Sequence, residues 1–150
     1  MRWLRWLFLV YLGAVLSLTL WPSLDQTNVP GWAEATVEFL GGLGIRTSVA
    51  ALEAGSNLVM FLPFGVFGVL LLAPARRRWS LLTVALVVTA AAFAFSGTIE
   101  TVQLAIPGRV STLQDVALNG AGGFLGAVVA ADVVARIERR RRAARPSSSG

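Results

Sequence analysis

Four apolar runs of 17 to 22 residues divide the chain. They cover residues 4–21, 57–73, 79–100 and 115–136. About 20 helical residues cross the hydrocarbon core of a bilayer. Because backbone groups in lipid must bond to one another within the chain, spans of this length are expected to be helical. The pattern therefore predicts an all-α, polytopic membrane protein built as a bundle of four transmembrane helices.

The longest connection, between the first and second runs, contains a weaker helical pattern. The peptide "PGWAEATVEFLGG", residues 30–42, begins with Pro30 and ends at a pair of glycines, which are typical start and stop signals. Trp32 and Phe39 are suited to the membrane surface, and the acidic residues between them are suited to water. We therefore expect an outer loop that carries a short interfacial helix.

Composition supports the membrane assignment and excludes much chemistry. The chain is 55% hydrophobic, with a mean hydropathy of +0.69, and only 14% of its residues are charged. Its net charge of +5 favours a membrane as the partner over nucleic acid, because the basic residues accompany a large apolar excess. The absence of cysteine and histidine removes thiolate chemistry, the commonest metal ligand and the usual general base. We expect neither a cofactor nor a metal.

Arginine placement predicts the orientation in the membrane. All thirteen basic residues are arginine, and eleven of them lie at the start of the first run, between the second and third, or at and after the end of the fourth. The positive-inside rule then places both termini in the cytoplasm, with four passes through the membrane. We expect residues 1–136 to form the transmembrane domain and residues 137–150 a disordered basic tail. A cleaved signal peptide over the first run is the alternative, although no clear A-x-A site follows it.

Polar residues gather at the opposite, outer end of the predicted bundle. Glu100 and Gln103 share one face at the end of the third run, and Asp115 and Asn119 lie one turn apart at the start of the fourth. Ser111 or Thr112 is suited to cap the fourth helix. Ionisable groups next to lipid are costly and usually serve a function. The sequence thus predicts one binding site at this end, comprising Asn57, Glu100, Gln103, Arg109, Asp115 and Asn119.

The spacing of these residues resembles the VanZ-like family of small bacterial membrane proteins. The family pattern runs N-x-x-x-F-x-P-x-G, then E-x-x-Q, then R-x-x-x-x-x-D-x-x-x-N-x-x-G-x-x-x-G. The matching residues are Asn57, Phe61, Pro63, Gly65, Glu100, Gln103, Arg109, Asp115, Asn119, Gly122 and Gly126. The resemblance implies a role in the cell envelope and low-level antibiotic resistance to glycopeptides of the teicoplanin type, without alteration of the peptidoglycan target. Many members carry a further Asp where this chain has Thr112, and the missing carboxylate argues against a metal site.

Three functional hypotheses of different class remain open. In the first, the outer site binds the head group of an envelope lipid or glycolipid, with Arg109 on a phosphate. In the second, the protein is an enzyme acting on a lipid-linked substrate, with Glu100 as acid or base. In the third, the protein is a packing partner in a membrane complex, and the polar cluster holds the helices in register. The G-x-x-x-G of Gly122 and Gly126 lets another helix approach closely and is predicted to serve packing. The sequence does not specify an oligomeric state.

Overall fold

The computed structural model describes residues 2–20, 31–76, 78–106 and 112–144. Within these ranges the chain forms only α-helices, and their bounds are α1 (Arg2–Leu20), α2 (Gly31–Gly42), α3 (Val49–Ala75), α4 (Leu81–Gln103) and α5 (Leu113–Ala143). All of them except α2 are long and apolar enough to cross a membrane. The prediction of an all-α bundle of four transmembrane helices is therefore confirmed.

Two helices are longer than the apolar runs that predicted them. α3 begins at Val49, eight residues before the predicted span, because the Ser48 hydroxyl caps it by accepting the N–H of Ala51 at 3.2 Å. α5 continues to Ala143, so its last two turns extend into the segment for which we expected a disordered tail. Glutamate and arginine are good helix formers, and arginines in a last turn interact favourably with the helix dipole. Residues 145–150 lie outside the described part of the chain.

The expected short helix in the loop is present as α2, but a different glycine ends it. Gly41 and Gly42 are still helical, whereas Gly44 adopts a φ of +80°. The N–H of Ile45 donates to the Leu40 carbonyl at 2.9 Å, the six-residue closure that accompanies a left-handed glycine at a helix C-terminus. Phe39 and Ile45 remain exposed, at 67% and 52%. Such exposed apolar side chains fit the expected position at a membrane surface.

The α3–α5 pair forms the closest helix contact in the bundle. A Cβ atom built on Gly122 would lie 2.1 Å from the carbonyl oxygen of Leu58, and one built on Gly126 would lie 2.1 Å from that of Leu62. Gly65 faces the same contact from α3, where its Cβ would meet the Gly123 carbonyl at 2.1 Å. No side chain fits between backbones this close, so the contact requires glycine on both helices.

The remaining two long helices pack around this pair. α4 packs against α5, where a Cβ on Gly123 would meet the Ala92 methyl at 2.4 Å, and it also contacts α3, where a Cβ on Gly68 would meet Val88 at 2.6 Å. α1 packs against α3 and α4, and its aromatic rings contact those of α3, including an edge contact between Phe8 and Phe64 with centroids 5.5 Å apart. The Tyr11 hydroxyl donates to the Met60 carbonyl at 2.7 Å, in the turn that precedes Pro63. A proline inside a helix disturbs the hydrogen bonds of that turn, so this bond supports α3 at a weak point.

The bundle has two chemically different ends. We call the first the polar end: it comprises the start of α3, the end of α4 and the start of α5. We call the second the arginine end: it comprises the start of α1, the end of α3, the start of α4 and the end of α5. In the described part of the chain the polar side chains that are buried are Ser96, Glu100, Gln103 and Asn119. All of them belong to the half of the bundle nearest the polar end.

Candidate functional site

The start of α5 is built around Thr112 and Asp115. Thr112 is the N-cap, and its hydroxyl oxygen accepts the N–H of Asp115 at 3.1 Å. The same hydroxyl donates to Asp115 Oδ2 at 2.7 Å, so the two side chains hold each other in place. Asn57 Nδ2, from α3, donates to Asp115 Oδ1 at 2.5 Å. Both carboxylate oxygens of Asp115 are therefore used, one within α5 and one across to α3.

Glu100 connects α4 to the same cap. Its Oε2 accepts the backbone N–H of Thr112 at 3.2 Å. In a capping box the side chain of the third helical residue accepts this N–H. Here the third residue is Asp115, and its carboxylate accepts the Thr112 hydroxyl instead. A carboxylate from a neighbouring helix thus satisfies an N–H group that precedes α5. Glu100 is only 8% exposed, and a buried carboxylate requires such hydrogen bonds because its desolvation is costly.

A second polar layer lies one helical turn deeper in the bundle. Asn119 Nδ2 on α5 donates to the Ser96 hydroxyl on α4 at 2.9 Å, and both side chains are buried. Ser96 and Asn119 are each four residues from a member of the upper layer, Glu100 and Asp115. The Oδ1 atom of Asn119 is buried and has no hydrogen-bond partner among the described residues. A hydrogen-bond donor for this atom would have to lie inside the bundle, as a buried water or a buried polar group does.

Gln103 connects α4 to α1. Its Nε2 donates to the carbonyl oxygen of Thr19 at 2.8 Å, and its side chain is 8% exposed. Thr19 lies in the last turn of α1, where carbonyl groups lack partners within the helix. Gln103 therefore caps the end of α1, and through it the polar end involves all four long helices.

The arrangement is rich in hydrogen-bonding groups and poor in metal ligands. No group of three acidic residues that could hold a metal ion occurs within the described ranges. The two carboxylates of the cluster, Glu100 and Asp115, both bind Thr112. Chemically, the site offers acceptors and amides that suit the hydroxyl, amide or ammonium groups of a ligand.

Comparison with known proteins supports the resemblance noted from the motifs. The family model described as VanZ/LLP1 matches residues 8–135, most of the chain. The chain belongs to the VanZ/LLP1 family. No curated protein and no solved structure matches it.

Within this VanZ/LLP1 family member, most of the sequence-predicted site residues meet at the polar end. Asn57, Glu100 and Asp115 are connected through Thr112 in the upper layer. Asn119 lies in the layer below, and Gln103 turns toward α1. Arg109 lies outside the described residues. The predicted packing glycines, Gly122 and Gly126, both lie against α3.

Sequence reasoning left two participants out of the site. Thr112 was noted as a cap, but its backbone N–H as the point where Glu100 binds was not foreseen. Ser96 was missed because it sits in an alanine-rich stretch. The signal for Ser96 is its position four residues before Glu100, since residues four apart are neighbours on one helix face.

Proposed function

We propose that this VanZ/LLP1 family membrane protein binds the head group of an envelope lipid or glycolipid at its polar end. The observation that carries the proposal is the confinement of the buried polar side chains, among the described residues, to that half of an otherwise apolar bundle. Polar groups buried near lipid are expensive, and their concentration in one place indicates a site. The buried Asn119 Oδ1, which has no partner among the described residues, supports a polar occupant at this depth, because buried acceptors normally have a hydrogen-bond donor.

The proposed orientation brings this site to the outer face. The arginines at the starts of α1 and α4 and at the end of α5 favour the cytoplasmic side, with both termini inside. The polar end then opens to the outer leaflet of the cytoplasmic membrane, where lipid-linked envelope precursors are exposed. A contribution to tolerance of glycopeptide antibiotics follows from occupancy of such a lipid.

The proposed roles of the residues follow from their chemistry. Arg109, which precedes Thr112 by three residues in the sequence, is the cation for a phosphate, because its planar fork binds two phosphate oxygens. Glu100 and Asn119 offer acceptors to sugar hydroxyls or amides. Gln103 is assigned a supporting role, because it connects α4 to α1 through its hydrogen bond to the Thr19 carbonyl.

A second candidate function is that of a scaffold without a ligand. It is favoured by the way Asn57, Thr112 and Asp115 bond to one another across α3 and α5. Under this alternative the cluster only fixes the positions of the helices, as polar groups between membrane helices commonly do. The two candidates differ in whether function can be lost while the protein remains folded.

The test uses two substitutions that preserve shape. Glu100→Gln removes the charge but keeps an oxygen that can accept the Thr112 N–H, and Arg109→Lys keeps the charge but removes the fork. Teicoplanin susceptibility, membrane abundance and the lipids that co-purify with the protein are measured for each variant. Glu53→Gln, at an exposed position on α3, is the matched control.

Ligand binding predicts loss of tolerance and of a co-purifying lipid at normal abundance in both site variants, with the control unchanged. The scaffold predicts that tolerance falls only together with abundance. Wild-type tolerance of Glu100→Gln at wild-type abundance would remove the central residue from the proposal.

A further inference from the structure

A second candidate site lies at the arginine end, remote from the polar cluster. There the ends of α1, α3, α4 and α5 enclose a cavity of about 1080 Å³. None of the polar-end residues lines it. The cavity is comparable to large small-molecule sites, which range over about 300–1,000 Å³.

The inner wall of this cavity is apolar. Leu70 and Ala73 line it from α3, Val84 from α4 and Val134 from α5. Val134 precedes Arg141 by seven residues on one continuous helix, which corresponds to about 10 Å along the axis. The lining of the cavity therefore changes from apolar to charged over two helical turns. A phospholipid changes in the same order, from acyl chain to head group.

The mouth of the cavity is suited to an anion. Arg141 and Arg142 line it, with Glu138 as the acidic lining residue, and these three side chains sum to +1 (two positive charges minus one). Ser80 and Leu81, at the start of α4, also line it. The first N–H groups of a helix and its positive dipole end attract phosphate. The two arginines and the start of α4 therefore both favour a negatively charged group at the mouth of the cavity.

Two tryptophans complete the lining. Trp3 and Trp79 are 65% and 42% exposed, and the Arg76 guanidinium lies 5.4 Å from the Trp79 ring centroid. Tryptophan is enriched where acyl chains meet head groups, because its ring is apolar and its N–H is polar. Their position indicates that the mouth lies at the membrane–water interface.

We infer that this cavity binds one anionic phospholipid, with its phosphodiester at Arg141, Arg142 and the start of α4 and an acyl chain along the apolar wall. A soluble anion would leave that wall uncovered, and a lipid without net negative charge would leave the excess positive charge of the mouth unbalanced. Basic pockets between membrane helices recognise lipid head groups in this way. The site is independent of the function proposed for the polar end.

The two tryptophans provide a direct assay. The full chain, with Trp6, Trp21 and Trp32 replaced by phenylalanine, is reconstituted in phosphatidylcholine bilayers that contain phosphatidylglycerol or phosphatidylcholine with brominated acyl chains. Bromine quenches tryptophan fluorescence on contact, so the difference in quenching between the two brominated lipids reports which of them the cavity prefers. We expect the apparent association constant of phosphatidylglycerol to exceed that of phosphatidylcholine roughly five-fold for each arginine engaged.

The decisive comparison uses two double variants with the same loss of charge. Arg141→Ala with Arg142→Ala removes the cavity arginines, whereas Arg139→Ala with Arg140→Ala removes neighbours that do not line the cavity. All four positions are exposed, so both variants should fold. We expect the first variant to lose the preference for phosphatidylglycerol and the second to keep it.

Three results would overturn the inference. Equal quenching by the two lipids in the protein that retains Arg141 and Arg142 would show that the cavity does not select an anion. Equal loss of preference in both double variants would assign it to the general charge of the helix end. Weak quenching by either lipid would show that something else, such as a second copy of the chain, covers the cavity.

Discussion

Charged residues at the two ends of the bundle differ in whether their bonds connect helices or stay within one helix. At the polar end Asp115 bonds across to Asn57 on α3, and Glu100 bonds across to the cap of α5. At the arginine end Asp132 pairs with Arg136 on the same helix, at 2.6 Å, with both side chains more than half exposed. Bonds between helices fix how the helices are placed, whereas bonds within one helix do not. Among the described residues, side-chain bonds between helices therefore hold the polar end together, whereas the ion pair at the arginine end lies within α5 and connects it to no other helix.

The largest expected effect tests whether the polar end depends on close backbone contact. Gly122→Ala would place a methyl group against the Leu58 carbonyl, next to Asn57, and force α3 and α5 apart. We expect it to lower the free energy of unfolding by about 3 kcal/mol or more, measured by thermal unfolding in detergent.

Gly97→Ala is the matched control, because a Cβ there meets nothing within 4 Å. We expect this variant to unfold at the wild-type temperature or slightly above it, since alanine is the better helix former. Equal behaviour of the two variants would contradict the close contact of α3 and α5.

A smaller effect is expected from removing the carboxylate at the polar end. Asp115→Ala leaves the partly buried Asn57 amide and the Thr112 hydroxyl without their acceptor. Unpaired polar groups of this kind cost about 1–3 kcal/mol, so we expect a loss of about 2 kcal/mol. A double-mutant cycle with Asn57→Ala measures the part that arises from the bond between α3 and α5. A coupling energy near zero would show that this bond does not hold the two helices together.

The smallest effect is expected from the corresponding change at the arginine end. Asp132→Ala removes an exposed ion pair between residues four apart on α5. Such pairs contribute about 0.3–0.5 kcal/mol, and salt screens them. We expect a loss of no more than this, diminishing in high salt. A loss as large as that of Asp115→Ala would erase the distinction between the two ends.

The apolar runs predicted the membrane-spanning elements well but their ends less well. The starts and ends of α1 and α4 lie within three residues of the apolar runs. α3 and α5 run further because Ser48 supplies a cap and because arginine-rich segments remain good helix formers. An apolar run stops where the chain leaves the lipid, whereas a helix continues as long as its backbone hydrogen bonds are formed.

The candidate site was predictable as a set of positions but not as a set of bonds. The spacing of Glu100, Asp115 and Asn57 along their helices placed them at one end. It did not indicate that Glu100 would bind the Thr112 backbone or that Gln103 would turn to Thr19. Which partner a side chain reaches depends on the rotation and separation of neighbouring helices, and a single helix pattern carries no information on either.

By itself, the sequence determined the four apolar helices, the concentration of most arginines at one end of the bundle, and the family motifs. Each of these depends only on residue type and on distance along the chain. The tertiary structure alone decided that α5 packs its glycines on α3, that Ser96 joins Asn119, and that a cavity opens beside Arg141. The physical reason is that lipid and protein core are equally apolar. An apolar residue in a membrane helix therefore does not reveal which of them it faces, and only the close approach of small residues selects the neighbour.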